Sequence, residues 1–113
     1  MPIAPEHHSE LSSLFPNLSK AFSVLADACH NAGPLDEKSR RLVKVALAVG
    51  AGLEGAAHSA VRHAMESGVT REELQHVAAL SVTTLGLPAA SRGLAWIEDY
   101  TAREGDPPRR PKS

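Results

Sequence analysis

Three observations predict an all-α domain. Apolar residues recur at spacings of three and four along most of the chain, and no stretch of six or more residues alternates apolar with polar as a half-buried strand would. Glycine and proline fall between the periodic segments, at Gly33-Pro34, Gly50-Ala51-Gly52, Gly68 and Gly86-Leu87-Pro88, where they stop helices. The composition, 42% hydrophobic with only 4% aromatic, calls for a core of Ala, Leu and Val packed between helices. About five helices are expected.

The first long helix is predicted from Pro16 to Asn31, with Leu18, Phe22, Leu25 and Cys29 on one stripe, and a short turn before it around Glu10 to Leu14. Asp36 is placed to cap the next helix, its carboxylate accepting from the amide of Ser39. From Leu42 to Val49 only Lys44 interrupts an apolar surface. Such a helix is buried on most sides, which one small subunit achieves poorly, so a homo-oligomer is expected. A third helix runs from Leu53 to Ser67 and stops at Gly68. Thr70 and Glu73 form a capping box, with Val69 and Leu74 as its hydrophobic staple, and open a helix carrying Leu74, Val77, Ser81 and Leu85. After Gly86-Leu87-Pro88 the last helix offers Leu94, Trp96 and Ile97. The expected organisation is an arm over 1–15, one domain over 16–104, and a disordered Pro/Arg-rich tail over 105–113.

The 113 residues carry 12 basic and 13 acidic side chains, a balance that excludes a nucleic-acid binder relying on surplus Lys and Arg. No apolar stretch approaches the roughly 20 residues a bilayer requires. The N-terminus lacks a basic start followed by an apolar block, so no signal peptide is expected and a cytoplasmic location is. Cys29 is the one cysteine, which excludes an internal disulfide and any Cys-x-x-Cys redox or zinc device in this sequence. It is expected to behave as a small buried apolar residue.

The run Leu35-Asp36-Glu37-Lys38-Ser39-Arg40-Arg41-Leu42-Val43, then Gly68-Val69-Thr70-Arg71-Glu72-Glu73-Leu74, then Gly86-Leu87-Pro88-Ala89, resembles the carboxymuconolactone decarboxylase family, which includes the alkylhydroperoxidase AhpD-like proteins. The likeness covers roughly Leu35 to Tyr100. It implies an AhpD-like helical bundle assembled into trimers or hexamers, with a pocket near subunit boundaries. It also implies one of two chemistries. The peroxidase branch uses a Cys-x-x-Cys, a histidine four residues later and a glutamate on the preceding helix. The decarboxylase branch acts on a small lactone acid without metal or organic cofactor, with a histidine eight residues before the glycine matched to Gly68.

Carried over by position, the histidine place holds Ala60, the cysteine places Leu53 and Ala56, and the glutamate place Arg41. Dithiol peroxide chemistry needs a thiolate nucleophile and a resolving thiol, and neither stands on this helix. The expectation is a family member that binds a small organic or anionic molecule, with Ala56, Ala60 and Arg41 lining the site. Cofactor-free acid–base chemistry of the lactone-decarboxylase type remains open to it. His63 and Glu54 are the first candidates for that chemistry, and His58 the next. Glu54 and His58 are four apart and share a face, so a carboxylate can orient an imidazole as a general base. Each has a plainer reading: His58 as a solvated side chain beside Arg62, His63 as an edge histidine, Arg41 as a surface ion pair. No metal is expected, because His58 and His63 lie about 140° apart around a helix and no His-Glu-x-x-His pattern occurs. Two alternatives stand beside this reading: a non-catalytic oligomeric binding module, and peroxidase activity as in the wider family, here through Cys29 with an external thiol.

Overall fold

The structure, a computed structural model, describes residues 5–103 and 106. Among these it forms six α-helices and no strand: α1 Pro5–Leu14, α2 Pro16–His30, α3 Glu37–Ala51, α4 Glu54–Glu66, α5 Arg71–Leu85 and α6 Leu87–Thr101. The expected count of about five falls one short. The segment read as an arm with a short turn is the full helix α1, and a proline follows at the start of α2, where its missing amide hydrogen costs nothing. The tail over 105–113 lies outside the described residues except for Asp106, which Arg71 holds at 2.7 Å.

Helices α3 to α6 make the body. α3 packs on α4, α5 and α6, α4 also packs on α6, and α5 packs along α6. The core between them is small-residue aliphatic: Val45, Ala48 and Val49 of α3, Ala57, Ala60, Val61 and Ala64 of α4, Leu74 and Ala78 of α5, and Ile97 of α6. Alanines on α4 let its neighbours approach closely. Gly93 does the same on α6: a Cβ added there would meet the Val49 Cγ1 at 2.6 Å. α1 and α2 pack chiefly on each other, as a hairpin beside the body. The radius of gyration, 15.2 Å, exceeds the roughly 13 Å of a compact chain of this length.

Local punctuation positions the body. Asp36 accepts from the Ser39 amide at 2.8 Å and starts α3. Gly52, at φ 72°, ends it, with the Leu53 amide donating to the Ala48 carbonyl at 3.0 Å. Gly68, at φ 87°, ends α4 in the same way, with Val69 donating to Ala64. These left-handed caps satisfy carbonyls that a helix end would otherwise leave orphaned. The Thr70–Glu73 capping box is complete in both directions, and Val69 and Leu74 are both buried beside it.

Burial corrects two expectations. Cys29 is exposed, not a core residue, because α2 turns Leu18, Val24 and Leu25 outward as well. Within Leu42 to Val49, the Val45, Ala48 and Val49 side is buried while Val43 and Leu47 remain exposed. Among the described residues, nothing fully covers the second apolar face of α3.

Candidate functional site

Helix α4 carries the candidate residues along two edges. Its buried stripe runs through Ala57, Ala60, Val61 and Ala64. At 100° per residue, Glu54 and His58 flank one side of that stripe, and Ala56 and His63 flank the other.

On the first edge, α6 supplies what the sequence did not disclose. The His58 Nε2 lies 2.8 Å from the Asp99 Oδ2, across 41 residues of chain, and 4.0 Å from the Glu54 Oε2 one turn earlier. The Tyr100 ring meets the imidazole edge-on, with centroids 4.9 Å apart. His58 is mostly covered, its side chain 21% exposed. A carboxylate only accepts, so in the neutral ring the short contact calls for the hydrogen on Nε2 and the lone pair on Nδ1. Ring plane and tautomer are thus set by two neighbouring residues of α6. One ligand atom each from Glu54, His58 and Asp99 lies within 4.8 Å of the others.

On the second edge the candidates are dispersed. His63 is 40% exposed, and its Nδ1 lies 3.4 Å from the Glu66 Oε1 of its own helix. Ala60 is in the core, and Ala56 packs partly buried against it. Arg41 is engaged, its Nε donating to the Glu37 Oε2 at 2.8 Å. Glu37 also accepts from Arg40 at 2.8 Å, pairs with His30 at 2.7 Å and accepts from the Ser67 hydroxyl at 3.0 Å. The hydrogen bonds from Arg40, His30, Arg41 and Ser67, in that order, hold its carboxyl far below the ordinary carboxylate range. This hub ties α2 and the end of α4 to α3.

A groove of about 520 Å³ runs between α3 and α5, lined by Leu42, Val43, Val77, Leu80, Ser81 and Leu85 among others. Glu73 and His76 also line it, and His76 escaped notice because no local pattern marks it. Arg41, Ala56 and Ala60 do not line this groove. Asp99 and Tyr100 were equally unmarked in the sequence. Only the packing of α6 on α4 reveals them, and the nearest available signal was Ile97, whose burial fixes the rotation of α6.

A search of curated proteins finds no match. The family model of the carboxymuconolactone decarboxylase family matches residues 16–99, about three quarters of the sequence. The match spans α2 to α6 and agrees with the all-helical architecture. The chain belongs to the carboxymuconolactone decarboxylase family.

Proposed function

We propose that this chain binds a small organic acid and performs cofactor-free acid–base chemistry of the lactone-decarboxylase type, with His58 as the general base. The observation that carries the reading is the 2.8 Å contact between His58 and Asp99. A carboxylate that accepts from one ring nitrogen orients the imidazole and leaves the other nitrogen its lone pair, which is what a general base uses. Glu54 lies beside the same nitrogen, 4.0 Å away. His63, with one longer contact on its own helix, is assigned a secondary role. Arg41 can meet an anionic substrate only by sharing its guanidinium with Glu37. The single cysteine argues against the dithiol peroxide cycle, which needs two.

The test uses 4-carboxymuconolactone, whose loss is followed spectroscopically, with wild-type protein and His58→Gln. Turnover by the wild type and its loss in the variant is the expected result. Turnover unchanged in His58→Gln overturns the assignment. Consumption of organic peroxide with a dithiol reductant, abolished by Cys29→Ser, would favour the peroxidase alternative.

The same proposal includes a homo-oligomer. Leu47 of α3 and Leu80 of α5 are 62% and 63% exposed, and Leu18 and Leu25 of the hairpin are also open. Large apolar side chains left this exposed on several helices are what a subunit interface would cover. Light scattering at micromolar concentration is expected to give a multiple of 12.0 kDa, and Leu47→Glu with Leu80→Glu is expected to dissociate it. A wild-type monomer would contradict this.

A further inference from the structure

We infer that Glu54, His58 and Asp99 form a divalent transition-metal site whose occupancy switches off the base. The switching half rests on the function proposed above, whereas the binding half stands on geometry alone. The three donor atoms come from the start of α4 and the end of α6 and lie within 4.8 Å of one another. A tetrahedral zinc ion bonds nitrogen and oxygen at about 2.0–2.2 Å, which places neighbouring donors about 3.3 Å apart. The His58–Asp99 separation of 2.8 Å must therefore widen slightly, and the His58–Glu54 separation of 4.0 Å must shrink slightly. Glu54 is 62% exposed and free to swing inward. The required movements are of side chains, not helices.

The donor set selects the class of ion. One imidazole with two carboxylates suits zinc, cobalt or manganese, whereas calcium and magnesium prefer all-oxygen shells. Two carboxylates and a neutral imidazole carry a charge that a divalent cation offsets. Three protein ligands leave a position open for water or for a substrate carboxylate. Binding also rearranges one proton. The ion takes the lone pair of Nε2, so the hydrogen that Nε2 donated to Asp99 moves to Nδ1, which then no longer accepts a proton. The metal-bound form is the inactive form.

The experiment titrates zinc into the full chain by calorimetry, with cobalt as the spectroscopic probe. One equivalent per chain is expected. Loss of a ligand should weaken binding at least about 100-fold in His58→Asn and about tenfold or more in Glu54→Gln, since outer-shell partners alone are worth 10–100-fold. Cys29→Ser and the double variant His7→Asn with His8→Asn should bind as the wild type does. Paramagnetic broadening of the Tyr100 and His58 ring resonances by cobalt reads the site without any substitution. Binding that survives His58→Asn, or that disappears with His7 and His8, overturns the inference, as does the absence of broadening at Tyr100. Saturating zinc should abolish lactone turnover and a chelator restore it. Zinc binding at His58 in a protein that turns over no lactone would sink the proposed function and leave the metal site standing.

Discussion

The two edges of α4 both carried candidates in sequence, His63 and Glu54 ahead of His58, and they end in different states. Both carry a histidine and a nearby acidic residue on the same helix: His58 with Glu54, His63 with Glu66. Helix α6 distinguishes them. It lays Asp99 and Tyr100 against the first edge and leaves His63 with its helical neighbour. A pair within one helix is only as ordered as its own rotamers, whereas a pair across two packed helices is held by the core beneath it. Here that core includes Ile97, Val61 and Ala57, all fully buried.

The largest expected effect separates the two edges directly. General-base catalysis contributes about 10²–10⁴-fold, so His58→Gln should lower kcat/KM for the lactone at least about 100-fold. His63→Gln should stay within about threefold by the same assay. Gly93→Ala should destabilise by about 1–3 kcal/mol in urea denaturation, because its Cβ meets the Val49 Cγ1 at 2.6 Å. Val49 is β-branched and buried, so relief comes from shifting α6, which would also lengthen the His58–Asp99 contact. Asp99→Asn keeps the shape but replaces the accepting carboxylate that orients the imidazole with an amide. It should cost about tenfold in kcat with little change in KM. Thr70→Ala removes one half of the capping box and should cost about 1 kcal/mol, read as a lower denaturation midpoint.

A smaller, pH-dependent effect belongs to the Glu37 hub on the other side of the body. Its carboxyl titrates below its ordinary value of 4.5, chiefly through the hydrogen bond from Arg40. A depressed folded-state value means stability that is present above pH 4.5 and is lost as pH falls toward the lowered value. Glu37→Gln should therefore be less stable than wild type at pH 7, and the gap should narrow in progressively more acidic denaturation series. A gap independent of pH would contradict the hub's role.

The punctuation of the fold was legible in the sequence because it is local. Asp36, Gly68, Thr70 and Glu73 each act within a few residues, and each does in the structure what its residue type dictates. The family was legible for the same reason, since its motifs are largely this punctuation. What escaped was set by contacts distant in the chain. The helical wheel puts His58 off the buried stripe but cannot tell that α6 covers that edge. Cys29 lies on an apolar stripe, yet exposure depends on whether another element covers that stripe, and α2 packs chiefly on α1. α1 has few apolar residues to show periodicity, so its pattern suggested a turn.

The claim that Asp99 holds His58 in one tautomer, with Nδ1 as the basic nitrogen, is tested most directly by nitrogen-15 NMR of the imidazole rings near neutral pH. The account predicts that the neutral His58 ring is protonated on Nε2 in the wild type and drifts toward a mixture of tautomers in Asp99→Asn. A wild-type His58 ring protonated on Nδ1, or one that is indifferent to Asp99→Asn, would contradict it.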